Sequence, residues 1–325
     1  TALIEVYPEF EKVDVSHLEI TRPQAEVTEQ DVDEMLETLR KQRMDWEEVE
    51  RKARDDDRVQ IEYAAETGEG RVPEEGVQRL NLFMGGTDFE KLEKAVAAIA
   101  PGEEKTVKLL FPDDYQEPRL AGKKAKVDLK VVSVSEGTLP EVDEEFIKSF
   151  GIEDGRLESL RQEIRANLER ELKQATTAVL KKQVIGALVD SAPEFEAPAS
   201  IVRNEATSLA AQMASSRGLE PDPALVEPFM SQARQRVRAG LLMGAVAEQN
   251  GIRIDAAKVR ATIETIASTY EQPTEVIQMY YGNERLLEQV ESSVMEEQVV
   301  DWVLENAKVT SRETGFQDVI SQAGQ

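Results

Sequence analysis

Apolar positions along this chain recur with two different periods, and the change falls near residue 140. Upstream, short extended segments come first. Leu3-Ile4-Glu5-Val6-Tyr7-Pro8 and His17-Leu18-Glu19-Ile20-Thr21-Arg22-Pro23 read this way, with the prolines marking edges or ends. Thr28-Glu29-Gln30-Asp31 has the form of a capping box and opens a helix on Val32, Met35, Leu36 and Leu39, with Trp46 near its end. After a charged turn at 51–57, Val59, Ile61 and Tyr63 alternate with Gln60 and Glu62, the period of a half-buried strand. A Gly/Glu-rich loop (68–76), a strand at Leu80–Met84, a short helix over 88–99 on Phe89, Leu92, Val96 and Ile99, and strands at 105–111 and 127–134 complete this part.

Beyond 140 the period becomes helical throughout. Leu157, Leu160, Ile164, Leu168, Leu172, Ala175, Val179 and Val184 keep i+3/i+4 spacing along one long helix, a length that predicts an extended body. A helix follows Pro198, carrying Ile201, Val202, Leu209 and Met213, and Gly218-Leu219-Glu220-Pro221-Asp222-Pro223 reads as an elbow. Further helices carry Phe229, Ala233, Val237, Leu241 and Val246; Val259, Ile263, Ile266 and Tyr270, capped by Asp255; residues 274–281; and Leu287, Val290, Val294, Trp302 and Val303. The pattern therefore predicts an α+β fold: an arm with one helix over 1–45, an antiparallel sheet around a short helix over 46–138, and an elongated all-α region with arms over 139–325.

Composition narrows the chemistry. Hydrophobic residues make up 40% of the 325 residues but aromatics only 5%, which suits thin aliphatic helical layers. The balance of 39 basic and 64 acidic residues gives a net charge of −25, which opposes direct contact with nucleic acid and with anionic membranes. No apolar run is long enough to span a bilayer, and the opening shows no export signal, so a cytoplasmic setting is expected. The opening also reads as the middle of a longer protein.

Candidate catalytic chemistry is sparse. With no cysteine and the single histidine His17, thiol nucleophiles, histidine-rich metal sites and serine triads lose their residues. Carboxylate pairs such as Glu103-Glu104 and Glu296-Glu297 lie in polar settings and read as solvated faces. Gly85-Gly86 lacks the lysine and spacing of a phosphate loop, so no nucleotide, metal or other cofactor is expected. The apolar faces hold more than one thin packing seam requires. Ile201, Val202, Leu209, Met213, Phe229, Met230, Val237 and Leu241 are therefore the candidates for an exposed binding surface.

The order of parts joins a set of local strings: Val6-Tyr7-Pro8-Glu9, Val27-Thr28-Glu29-Gln30-Asp31-Val32-Asp33, Leu39-Arg40-Lys41-Gln42, Phe146-Ile147-Lys148-Ser149-Phe150-Gly151, Arg170-Glu171-Leu172-Lys173, Gly240-Leu241-Leu242-Met243-Gly244 and Glu296-Glu297-Gln298-Val299-Val300. Together they resemble the trigger factor family of ribosome-associated bacterial chaperones over essentially the whole chain. The resemblance implies an FKBP-like domain over 46–138, a helical chaperone domain over 139–325, and unfolded or nascent polypeptides as partners. It implies ribosome docking only through an amino-terminal domain whose loop motif is absent from these residues, and leaves a homodimer of the full-length protein open.

Within the FKBP-like domain the resemblance implies a proline pocket walled by aromatics. Glu62-Tyr63 keeps one part of that motif, Phe89-Glu90-Lys91-Leu92-Glu93 keeps only the final acid of another while Phe89 and Leu92 would line the pocket, and Tyr115 is retained. Val72, Leu80 and Val127 stand where wall aromatics are usual. Amide isomerisation crosses a barrier of ~18–20 kcal/mol, and thinner walls admit water around the twisted amide. Weak or lost prolyl isomerase activity is the expectation, an active peptidyl-prolyl isomerase the alternative. A periplasmic chaperone of related helical shape is a third reading.

Overall fold

The computed structural model describes residues 8, 10, 12–86, 89–216, 225–270 and 272–324. The expected strand at 3–7 and the elbow at 218–223 lie outside the described residues. The chain forms two compact units, Thr28–Ala166 and a discontinuous one made of Thr1–Val27 with Asn167–Gln325. The expected arm is thus divided: β1 (Glu19–Gln24) belongs to the discontinuous unit, and the capped helix to the other.

In the unit Thr28–Ala166, Thr28 Oγ1 accepts from the Asp31 N–H, while the Thr28 N–H donates to Asp31 Oδ2 at 2.7 Å. This reciprocal box starts α1 (Glu29–Gln42), which buries Val32 and Leu36. Its other side presents Glu29 and Asp33 to Arg161, at 2.7 and 2.5 Å. Trp46 follows the helix end in a short strand, β2 (Asp45–Glu48). It pairs with Gly137, where a side chain would collide with Met44 and the indole ring.

Six antiparallel strands follow from the period-2 pattern: β2, β3 (Arg58–Thr67), β4 (Gly70–Val72), β5 (Gln78–Phe83), β6 (Glu104–Leu110) and β7 (Lys124–Thr138). β3 and β7 pair at the centre, β4 and β5 share the far edge of β3, and β2 and β6 share the far edge of β7. Val59, Ile61 and Tyr63 face Val127, Leu129 and Val131 in one core. α2 (Glu90–Ala97) closes that core with Leu92 and Val96, each worth ~1.5–3 kcal/mol of burial. The alternation in β7 breaks at a bulge where Ser133 pairs Gln60 and Val131 pairs Ile61. Val132 has no partner there and is 38% exposed, and the buried phase moves from Val131 to Val134.

One charge is buried beneath this sheet. Asp57, 3% exposed, accepts two bonds from the Arg51 guanidinium at 2.5 and 3.0 Å and one from the Arg54 N–H at 2.7 Å. Burial alone pushes its carboxyl up, but these donors outweigh burial and hold it below the usual carboxylate range. α3 (Glu144–Lys148), capped by Asp143, adds buried Phe146 and Ile147, and Arg43 stacks on Phe150.

The long helix is α4 (Leu157–Ser191). Its expected stripe is buried from Leu160 onward, whereas Leu157 at the first turn is exposed. The discontinuous unit continues with α5 (Ala199–Ser216), α6 (Met230–Gln249), α7 (Ala256–Ala267), α8 (Pro273–Gly282) and α9 (Glu284–Asn306). The region is not all-α: β8 (Lys308–Glu313) pairs in parallel with β1, and α10 (Phe316–Gly324) follows. Gln183 on α4 exchanges two 2.9 Å bonds with the Thr21 backbone, occupying polar groups of β1. Val15, Leu18 and Ile20 complete a core with Leu180, Val184, Leu188, Val246, Val299, Val300 and Val303. That packing joins residues 13–20 to the carboxy-terminal helices.

Candidate functional site

A cavity of about 920 Å³ opens among α4, α6 and α9 within the discontinuous unit. Ile185, Ala239, Gly240, Met243, Gly244, Ile254, Met295 and Val299 line it with apolar groups. Arg236, Glu288, Glu291 and the Lys181–Glu296 ion pair (2.7 Å) add charge to its lining. The helical period places Gly240 and Gly244 on one stripe of α6, and nothing stands within 4 Å of where their side chains would begin. Ile254, 42% exposed, sits in a short loop before α7. Gln298 holds that loop on both sides, accepting from the Asp255 N–H at 3.0 Å and donating to the Arg253 carbonyl at 3.1 Å. The result is an apolar groove with a polar, mixed-charge margin that includes Ser292. Among the described residues no cluster of His, Cys, Asp or Glu is arranged to hold a metal. Such a surface can hold apolar side chains.

The candidates chosen from periodicity lie elsewhere. Val202, Leu209 and Val237 are buried in the seam between α5 and α6, together with Ala206 and Ala233. Ile201, Phe229, Met230 and Leu241 pack half-buried on that seam, and Met213 is half-buried on α5. None of the eight lines the groove. Periodicity identified the packed face of α6, while the groove uses the adjacent stripe, whose mark is the Gly240/Gly244 spacing and nearby Met243.

The expected proline-pocket residues do come together. Tyr63, Val72, Phe89, Leu92 and Val127 are buried in the sheet core, with Leu80 and Tyr115 half-buried against it. The hydroxyls of Tyr63 and Tyr115 lie 3.0 Å apart, and that of Tyr63 donates to Gln78 Oε1 at 2.9 Å. Burial, then the Tyr115 hydroxyl, pushes the Tyr63 phenol above its ordinary range. Sequence reasoning missed Phe111 as a member. Its ring packs 5.4 Å from Phe89 and 4.7 Å from Tyr115, so three aromatics contact one another.

Residues 156–305 match the family model described as bacterial trigger factor protein (TF) C-terminus, and residues 1–39 match that of bacterial trigger factor protein (TF). A trigger factor of Stenotrophomonas maltophilia (strain K279a) is 43% identical over 329 residues, covering 99% of this chain and 76% of the relative. The chain belongs to the trigger factor family. A trigger factor of Xanthomonas euvesicatoria pv. vesicatoria (strain 85-10) is likewise 43% identical, over 98% of this chain and 76% of its own length. A solved structure described as "Promiscuous Substrate Recognition in Folding and Assembly Activities of the Trigger Factor Chaperone" superposes with a TM-score of 0.44 at 20% identity, over 90% of this chain and 72% of that one. The α+β architecture of this trigger factor family member combines an antiparallel sheet unit with a mainly helical carboxy-terminal region. No helix among its described residues is long and apolar enough to cross a membrane.

Proposed function

We propose that this trigger factor family member is an ATP-independent holdase in the cytoplasm that shelters nascent or unfolded polypeptides in the groove among α4, α6 and α9. One observation carries the reading: a cavity of about 920 Å³ lined by Met243, Met295, Ile185 and Ile254 and paved by two glycines. Thioethers adapt to varied partners, and open glycines let a foreign chain approach the helix axis. A single apolar side chain contributes only ~1.5–3 kcal/mol, so retention requires several weak contacts acting together. The half-buried Ile201, Met213, Phe229, Met230 and Leu241 would add such contacts. Release then needs no nucleotide, because each contact exchanges rapidly. Ribosome docking, in this reading, belongs to the family's amino-terminal domain. The test is aggregation of an unfolded client diluted from denaturant: substoichiometric-to-equimolar chain should lower light scattering without ATP. Unchanged scattering at excess chain would refute the holdase.

The second reading, prolyl isomerisation, is favoured by the Tyr63, Phe89, Phe111 and Tyr115 cluster. Phe89 and Phe111 are more than nine-tenths buried and turn their rings to each other, leaving little face for a prolyl ring. We therefore expect a proline-peptide isomerisation assay to give rates close to the uncatalysed background. Strong catalysis, lost on Tyr115→Ala, would reverse that ordering.

A further inference from the structure

β1 and β8 form a sheet of two strands, paired in parallel over six residues with no bulge. The N–H groups of Lys308 and Thr314 donate to the carbonyls of Leu18 and Gln24 at 2.9 and 3.1 Å. Backbone groups alternate in direction along a strand, so the even-numbered residues of β8 bond to β1. Val309, Ser311 and Glu313 turn their N–H and C=O groups to the other side. The two outer edges of this sheet are finished differently. On β1 the outward row is Glu19, Thr21 and Pro23. Gln183 accepts from the Thr21 N–H and donates to its carbonyl, both at 2.9 Å, and Pro23 has no N–H to offer. On β8 the backbone groups of Val309, Ser311 and Glu313 have no hydrogen-bond partner among the described residues. Ser311 and Glu313 are exposed and Val309 is half-buried. β8 contains neither proline nor a bulge, two of the devices that blunt a free edge.

We propose that the free edge of β8 docks one extended, proline-free segment of an unfolded polypeptide as a third strand, held by main-chain hydrogen bonds. The outward row supplies donors and acceptors at every second residue, the pattern an added strand requires. A two-stranded sheet is marginal by itself and gains from a third strand. Val309 packs on the core through one side and offers its remaining surface to an apolar residue of the docked segment. The charges of β8 argue against a second copy as the occupant. Lys308 and Arg312 share one face, and an antiparallel second β8 would bring its own pair to that same face, between chains that each carry −25. A client segment without that charge meets no such barrier. The proposal rests on the reading of the chain as a polypeptide holder and adds a second mode of capture. The groove selects apolar side chains, whereas this edge selects an extended backbone with its N–H groups intact.

The experiment is fluorescence anisotropy on the full chain with a short labelled peptide alternating valine and threonine, and with the same peptide N-methylated at every internal amide. The wild type should bind the first peptide and hold the methylated one about tenfold more weakly. Ser311→Pro deletes the central outward N–H and sets a ring on the edge, yet spares the row that bonds to β1. It should bind the unmethylated peptide about tenfold more weakly, at a melting temperature no lower than wild type. Where that variant melts lower, the methylated peptide and slowed hydrogen exchange at the Ser311 amide of the wild-type complex decide instead. Equal binding of the two peptides, or a Ser311 amide that exchanges as fast with peptide as without, overturns the proposal. So does a wild type that sediments as a dimer and becomes a monomer on S311P, since a second copy is then the occupant. Client held in solution by a chain that fails these peptide tests refutes the edge alone. Peptide bound at β8 by a chain that leaves client scattering unchanged refutes the holdase alone.

Discussion

Asp57→Ala should destabilise the sheet unit by about 2–3 kcal/mol, lowering its melting temperature by about 5–10 °C. The carboxylate is 3% exposed and satisfies two guanidinium donors and the Arg54 N–H. Removing it leaves that N–H without its acceptor and Arg51 with Glu136 and the Lys52 carbonyl, each at 3.2 Å. Arg51 is partly exposed and regains some hydration, which keeps the cost at the lower end for a buried pair. The pH dependence has a definite sign. The folded-state pKa of Asp57 is depressed, so its contribution is fully present above the unfolded value of about 3.9. It is lost as pH falls through the lower folded value. The stability difference between wild type and Asp57→Asn should therefore be flat above pH ~5 and shrink on acidification below ~4. Urea titrations across that range measure it. An Asp57→Ala chain melting within a degree of wild type would show that the pair contributes nothing.

The sheet was legible because its strands are half-buried: Val59, Ile61 and Tyr63 are inward, while Arg58, Gln60 and Glu62 are polar and more exposed. β8 was not, because five of its six residues are exposed and only Val309 carries an apolar signal. Its existence depends on β1, hundreds of residues away in sequence, and that long-range pairing leaves no local period. The same cause divided the expected arm between two units. The strand that holds Trp46 was not legible locally, because the space for its ring depends on Gly137 in a distant strand. For the groove the limit was of another kind. Periodicity finds the stripe a helix buries, and α6 buries Ala233 and Val237 against α5 as such a stripe should. A groove is recorded in what is missing, here the side chains of Gly240 and Gly244, and absence has no hydrophobic period. Phe111 shows the reverse case, a residue visible in the sequence whose ring neighbours only the folded chain brings together.

Those two glycines separate a client groove from a packing defect. An interior glycine costs a helix about 0.8–1.0 kcal/mol relative to alanine, and nothing lies within 4 Å of either missing side chain. G240A/G244A should therefore raise the melting temperature of the helical unit by a few degrees and leave client holding nearly intact, because a methyl group fills little of the cavity. G240Q/G244Q should keep most of that stabilisation, glutamine being a good helix former, yet project two polar chains into the groove. If one client side chain loses its seat there, affinity at this site should fall roughly tenfold to a hundredfold, the equivalent of ~1.5–3 kcal/mol. The opposite directions of the two readouts are what make the pair of variants decisive. A destabilised fold would lower both melting temperature and chaperone activity, whereas occlusion raises the first and lowers the second. Should G240Q/G244Q melt higher and still suppress aggregation as wild type does, the groove is not where clients bind, and the half-buried residues along the α5–α6 seam become the place to look.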